Sequence, residues 1–413
     1  MHLVIGAGPA GLSAALEIQR LGGQALVLEQ DPQRVGGLSQ TAEYRGYRFD
    51  IGGHRFFSKN QEVENLWTDL LGDELLQVAR SSRIYYAGKY YAYPLRPWNA
   101  LANLGLWEAC RCLASYGRAR FRPRRPVRSF EDWVINQFGE RLFSIFFKTY
   151  TEKVWGQPCH EISSDWAAQR IKGSSLWTAV LAALGLSGGS QIKTLIDTFR
   201  YPRLGPGQMW EAAARRVRGS GGQVLLNYPV TRLLRDHRGI TAVEAGGREF
   251  LCESVISSMP LRQLVERLDP AVPPEVLQAA RCLRYRDFIT VVLIVEDRDL
   301  FRDNWIYIHD PGVKVGRIQN YKNWSPAMAP QEGTTALGME YFCFQGDGLW
   351  SSPDEQLLEL ARRELAQLGI SRAEDYLDGT VVRMPKAYPV YDHDYLVNIE
   401  RIRDFLQDQV PNL

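Results

Sequence analysis

The 413-residue chain is poor in the patterns that usually announce a chemistry. Its six cysteines stand at 110, 112, 159, 252, 282 and 343, with no CxxC and no zinc-ligand spacing among them. A dithiol redox motif and a thiolate metal site are thereby excluded on pattern, leaving reduced, mostly structural thiols as the expectation. No Ser-His-Asp arrangement and no metal-ligand cluster is visible, so no metal is expected. The longest apolar run, LWTAVLAALGL at 176–186, is too short to span a bilayer. The first strand begins at residue 3, which leaves no room for a signal peptide, and together with the thiols this points to the cytoplasm. Net charge is only +2, and without a concentrated basic face nucleic acid is not an expected partner. The one basic run, RARFRPRRPVR at 118–128, reads as a solvated connector, with a neighbouring amphipathic helix leaving peripheral membrane contact as the lesser reading. Internal repeats and low-complexity segments are absent.

What is present begins at once. HLVIGAGPAGLSAALEIQRLGGQALVLEQ runs from an apolar strand through Gly6, Gly8 and Gly11 into a helical pattern and a second apolar strand ending at Glu29. This is a complete βαβ nucleotide-binding unit. Gly6 permits the tight turn, Gly8 lets backbone approach a pyrophosphate, Gly11 lets helix and strand pack closely, and the helix N-terminus offers N–H groups to the anion. Glu29, roughly 20 residues on, is placed to accept from a ribose hydroxyl. The alternative, a purely structural glycine turn, has to explain why strand, helix and acid are all in register.

Further on, FDIGGHRFFSK at 49–59 puts two glycines and a titratable ring between apolar residues. On pattern alone it could be a glycine turn with a satisfied core histidine. Residues 83–95 alternate like a hairpin turning at Gly88, and from about 98 to 200 the pattern is almost wholly helical. Residues 201–262 read as loop, helix and strands. DFITVVLIVED, NWIYIHD, VGRIQNY and TTALGMEYFCF then predict an antiparallel meander. Within VGRIQNYKNW, period two places Arg317, Gln319 and Tyr321 on one face. Such a face is either solvated or lines a cleft in which Arg317 meets an anion bidentately.

With these residues in view, DPQRVGGLSQT at 31–41 resembles the glycine-pair signature of two-domain flavoproteins of the amine oxidase and protoporphyrinogen oxidase group. The resemblance implies FAD, with Arg34, Gly36 and Gly37 along the pyrophosphate and ribityl chain. It implies that Gly52 and Gly53 leave room for the flat ring beside His54, and that backbone near Val230 contacts adenine. Four blocks also resemble UDP-galactopyranose mutase in matching order: FDIGGHRFFSKNQE, YAYPLRPWN, KTYTEKVWG and VGRIQNYKNW, followed by a fifth, KAYPVYD at 386–392. KTYTEKVWG is the most specific, because its order serves no obvious secondary-structure need. Carried over, Tyr150 packs near uridine, Trp155 near sugar and flavin, Arg317 holds the diphosphate, Tyr388 and Tyr391 hydrogen-bond phosphate, and His54 responds to the flavin's redox state. For each aromatic residue, plain core packing is the alternative.

The chain departs from that pattern in three places. The mutase has proline where Gly53 stands and a second histidine where Phe57 stands. Its second phosphate arginine falls near Gly173 or Ser174, with Arg170 close but out of register. The chain also stops at FLQDQVPNL, where this group continues with a strand, a glycine turn and a helix facing the flavin pyrimidine, so weaker flavin binding by a truncated frame is the expectation.

The fold class expected is α/β: a discontinuous Rossmann-like FAD-binding domain with an α+β substrate domain made of a helical insertion and an antiparallel sheet. The boundaries are 1–82 for the first FAD part, 83–200 for the hairpin and helical insertion, 201–262 for the second FAD part, 263–380 for the sheet and 381–413 for a return toward the FAD domain. By resemblance the activity is covalent catalysis by reduced flavin on a nucleotide-diphosphate sugar, interconverting ring sizes, with NAD(P)H or another reductant priming it. The alternatives are an oxidoreductase of the amine oxidase type and a flavin-binding fragment without catalysis.

Overall fold

The computed structural model describes residues 1–93, 95, 97–164, 197–298 and 300–413. Its first sheet is parallel and four-stranded, in the order Ser254–Ser257, His2–Ile5, Ala25–Leu28, Gln223–Leu225. The short apolar strands are buried on both faces, as a sheet covered on two sides demands. Leu3, Ile5, Leu26 and Leu28 point into one core with Val255 and Ile402, while Val4 and Val27 point into the other with Leu12, Met209 and Ala213. The helix Pro9–Arg20 starts with proline in its first turn after Gly8, and Gly207–Gly219 packs beside it.

A second four-stranded sheet, Arg248–Leu251, Gly239–Ala245, Val230–Asp236 and Leu268–Asp269, covers one core. The third sheet has seven strands, in the order Tyr376–Pro389, Tyr285–Glu296, Thr334–Cys343, Arg317–Asn320, Trp305–Ile308, Ser82–Tyr86, Lys89–Ala92. Three of them form the meander, 305–308, 317–320 and 334–343, each antiparallel to the next. The long strand Tyr285–Glu296 lies on the far side of Thr334–Cys343 instead of beside its sequence neighbour.

Two departures from the sequence reading follow from pairing needs. The 83–95 hairpin, grouped above with the helical insertion, adds to the sheet through a parallel pairing of Ser82–Tyr86 with Trp305–Ile308. Residues 381–389, grouped with the return to the first domain, belong to the edge strand Tyr376–Pro389. In each case an exposed strand edge acquires a partner, and pairing partners far apart in sequence leave no trace in local pattern. The helices Leu106–Phe121, Phe130–Phe138 and Thr149–Trp155 pack beside this sheet, and residues 165–196, with Arg170, Gly173, Ser174 and the 176–186 run, lie outside the described residues. Arg120, Arg122, Arg125 and Arg128 of the basic run are exposed, and Arg124 pairs with Glu131 and Asp132. No helix among the described residues is long and apolar enough to cross a membrane.

Gly11 tests the first unit directly. A side chain there would collide with the carbonyl oxygen of Gly6, a backbone atom that cannot step aside. Gly11→Ala is expected to cost about 3 kcal/mol or more, read as a lowered urea midpoint. An unchanged midpoint would contradict this packing.

Candidate functional site

At the C-terminal ends of His2–Ile5 and Ala25–Leu28, two glycine loops face each other. Gly6 has φ +95°, and Gly36 and Gly37 have φ +109° and +53°, a region that favours glycine. A Cβ at Gly8 would find only Gly37 Cα at 3.8 Å and Gly36 O at 4.0 Å. The N-terminus of Pro9–Arg20 has no side-chain cap, so its N–H dipoles are aimed at this gap. Glu29 is buried, and its carboxylate accepts from Ala7 N–H at 2.6 Å and Asp31 N–H at 2.8 Å, which fixes it at the mouth. Arg34 donates Nη1 to the Thr41 carbonyl at 2.8 Å. The segment leading to Val230 is tied to the acid's own backbone, with Tyr228 N–H donating to Glu29 O at 2.8 Å. Val230 itself is buried in the core. The donor set and the gap fit a dinucleotide pyrophosphate and ribose.

The loop at 50–54 links this half to the seven-stranded sheet. Asp50 is fully buried, and Tyr201 Oη donates to both its carboxylate oxygens at 2.8 Å. Burial pushes the Asp50 carboxyl well above its ordinary range, against the Tyr201 hydrogen bond. Tyr321 Oη donates to the Asp50 carbonyl at 2.9 Å. Beyond this anchor, Gly52 has φ +100°, and a Cβ there would press on His54 Cε1 at 3.3 Å. Gly53 lies against the Arg317 guanidinium, with Cζ at 3.3 Å from where a Cβ would be. Burial, and then the neighbouring Arg317 charge, lower His54 to about 4, and its buried Nδ1 has no partner. His54 is thus a neutral ring with an open nitrogen.

Arg317 and Glu340 are directly opposite across two antiparallel strands. Arg317 donates Nε to Oε2 at 2.7 Å and Nη2 to Oε1 at 2.9 Å, a bidentate pair, and Gln319 Nε2 adds a third bond to the same carboxylate. Side-chain exposure is 15% for Arg317 and 0% for Glu340. The face Arg317, Gln319 and Tyr321 is therefore not solvated, and the bidentate anion of Arg317 is supplied by the protein. Burial is the largest single influence and opposes the guanidinium charge, but Glu340, together with Tyr150, Tyr388 and Tyr307 around it, outweighs burial and holds the group charged.

Four aromatic residues close the site. Tyr150 is half-buried, stacked on His309 at 4.7 Å and edge-on to Tyr307 at 5.4 Å, and desolvation pushes its hydroxyl well up even beside Arg317. Trp155 meets Tyr388 and Tyr391 edge-on at 6.3 and 5.9 Å. The structure brings His54, Arg317, Tyr150 and Tyr388 together, with Trp155 and Tyr391 behind Tyr388.

Sequence reasoning missed much of the scaffold beneath them. Lys153 Nζ donates to the carbonyls of Ile308, Asp310 and Val315 at 3.3, 2.6 and 3.2 Å, and burial lowers it to about 8. Buried Arg286 donates to the carbonyls of Lys153, Val154 and Phe342, and the helix ends on Gly156 at φ +64°. KTYTEKVWG therefore does serve local structure: a helix C-terminus capped by a distant arginine. Asp50 was open to inference as the acid in an otherwise apolar stretch, whereas Glu340 and Arg286 gave no local signal.

Comparison with known proteins places this geometry. Residues 9–413 match the family model described as flavin containing amine oxidoreductase. AofH of Mycobacterium tuberculosis, provisionally a flavin-containing monoamine oxidase, is 28% identical over 67% of this chain and 61% of its own length. Coproporphyrinogen III oxidase of Mycobacterium bovis is 23% identical over 94% of this chain and 87% of its own. The chain spans about three-fifths of the length of the first curated relatives it matches. Among solved structures, reduced UDP-galactopyranose mutase superposes with a TM-score of 0.85 at 22% identity, covering 99% of this chain and 88% of that one. At that identity the likeness is one of fold.

Two expectations follow. Between about pH 6.5 and 4 the unfolded chain binds a proton at His54 that the folded chain refuses, so stability falls as pH drops through that window, by up to about 3 kcal/mol. His54→Gln removes that share of the slope in urea titrations at pH 7 and pH 5, and an unaltered slope would contradict a neutral, desolvated ring. Glu340→Ala strands the Arg317 charge and should cost about 3–5 kcal/mol, whereas Arg372→Ala, whose pair with Glu374 is exposed, should change the thermal midpoint little.

Proposed function

The chain belongs to the flavin containing amine oxidoreductases, a family of FAD-dependent flavoenzymes, and we propose that within it this chain acts as a mutase-type isomerase on a nucleotide-diphosphate sugar. The observation that carries the reading is the character of the side chains around His54. Among the described residues they offer phenol hydroxyls, a fixed guanidinium and ring faces, and the His54 ring is lowered too far to serve as a strong base at neutral pH. A polyhydroxylated, anionic substrate suits such a wall better than an ammonium ion or a hydrocarbon.

FAD, when bound, supplies the nucleophilic or hydride-accepting nitrogen that these side chains lack. Gly6, Gly8 and the helix N-terminus would hold its pyrophosphate, Glu29 its ribose, Arg34, Gly36 and Gly37 the linking chain, and Gly52 and Gly53 would give space to the ring. His54 would then face the ring with an open Nδ1, able to accept a hydrogen bond. Burial makes it too weak a base to abstract a proton at pH 7. Arg317, held in one orientation by Glu340 and Gln319, presents its edge beside Gly53. Tyr150, Tyr388 and Tyr391 orient hydroxyls and phosphate oxygens, and the walls built by Trp155 and Tyr307 exclude water. In this reading the protein positions and shields, and moves no proton of its own.

The second reading, an oxidoreductase of the amine oxidase type, is favoured by the curated relatives, which are named as amine oxidases, a desaturase and a porphyrinogen oxidase. One experiment separates the two. FAD-loaded chain, reduced once with dithionite or NAD(P)H under argon, should interconvert the pyranose and furanose forms of a UDP-hexose, seen by HPLC, with no reductant consumed per turnover. Bleaching of oxidised flavin by an amine or a porphyrinogen with acceptor consumption, and no sugar product, would overturn the mutase reading.

A further inference from the structure

Beside the site lies a group of charges that the account so far does not use. Arg55 follows His54 directly, and its guanidinium carbon stands 5.8 Å from the centroid of the Trp305 ring. Arg80 comes from the residue just after the strand Leu75–Ala79, and its guanidinium carbon is 5.9 Å from the same ring and 5.5 Å from that of Tyr93. Among the described residues neither arginine takes part in an ion pair, and Arg80 Nε is a buried donor with no partner. Asp197 is the acid near Arg80, and its chain carbonyl, not its carboxylate, takes the Arg80 backbone N–H at 2.8 Å. The phenols of Tyr93 and Tyr307 complete the group, their rings edge-on at 4.9 Å, and Tyr307 in turn touches Tyr150 at 5.4 Å. Trp305 is buried beneath, whereas Tyr93 is 43% exposed, so the group opens outward.

Two guanidinium groups gathered round one indole, with no carboxylate paired to either among the described residues, repel each other, and an unbonded buried donor adds a desolvation cost. A ligand carrying two or more negative charges relieves both, accepting hydrogen bonds from the arginines and the two phenols. We propose that Arg55 and Arg80, with Tyr93 and Tyr307, form an oxyanion subsite one aromatic layer from His54, and that it holds the phosphate-type group of the substrate while Arg317 stays committed to Glu340. The inference rests on the mutase reading for its choice of phosphate, and its residues and geometry stand apart from it. It also supplies, from the His54 loop and the end of the strand Leu75–Ala79, cationic charge that the pattern near Gly173 and Ser174 lacks.

Calorimetry on the purified chain in excess FAD tests this, using inorganic pyrophosphate, UDP and malonate as probes. Pyrophosphate and UDP are expected to bind, with affinity falling as salt rises. Arg80→Gln should weaken both by about tenfold or more, and Arg55→Gln by several-fold, each charge-assisted bond being worth at least about that factor. Arg80→Lys, which keeps the charge, should recover part of the loss, and Arg372→Gln should alter nothing. Malonate binding as tightly as pyrophosphate would reassign the subsite to dicarboxylates and overturn the phosphate choice. Failure of wild type to bind any probe, or wild-type affinity in both Arg55→Gln and Arg80→Gln, would overturn the subsite. If Arg80→Gln does not fold by circular dichroism, exposed Arg55→Gln and Arg80→Lys decide. Arginine-dependent binding without UDP-hexose isomerisation would sink the mutase reading alone, and isomerisation indifferent to both arginines would sink the subsite alone.

Discussion

Asp50 is the knot of this molecule. It ends the strand Tyr47–Asp50 and begins the loop that carries Gly52, Gly53 and His54. Its carboxylate is held by Tyr201, and its carbonyl by Tyr321 at the end of a strand in the seven-stranded sheet. A buried carboxyl and a buried backbone carbonyl are each costly unless their lone pairs are used, so Tyr201 is fixed by the first and Tyr321 by the second. The consequence is positional: the loop cannot slide relative to the sheet, and His54 is set against Arg317. The Arg317–Glu340 pair completes the arrangement by giving the loop a rigid, charged neighbour.

This architecture splits labour between halves that differ in chemistry. The parallel sheet offers backbone: positive-φ glycines, an uncapped helix end and a buried acid, all suited to a dinucleotide whatever its reaction. The seven-stranded sheet offers side chains, above all arginines and tyrosines on aromatic walls. Proteins similar to this chain are named as oxidases, a desaturase and a mutase, as expected where chemistry lives in side chains grafted on a shared fold. The neutral His54 and the engaged Arg317 belong to the seam between the two.

Legibility in the sequence followed locality. The first βαβ unit was fully readable, because its glycines, helix start and Glu29 lie within thirty residues and each has a local cause. Most site residues came into view only through resemblance. Tyr150 and Trp155 sit on a short helix whose C-terminus depends on Arg286, more than 130 residues away, and no window contains both. The period-two reading put Arg317 and Gln319 on one face correctly but could not supply Glu340, the partner that changes their meaning from solvated to buried. Strand pairings such as Ser82–Tyr86 with Trp305–Ile308 are invisible for the same reason: backbone bonds between distant segments leave no composition behind.

The central claim is that the Asp50–His54 loop forms part of the wall against which the cofactor ring rests. NMR of the His54 Cε1–H, assigned by its loss in His54→Gln, tests this most directly during titration with FAD. The account predicts a large ring-current shift of that resonance in step with binding, while exposed His160 and His237 stay put. Saturable FAD binding that leaves the His54 resonance unmoved would contradict it.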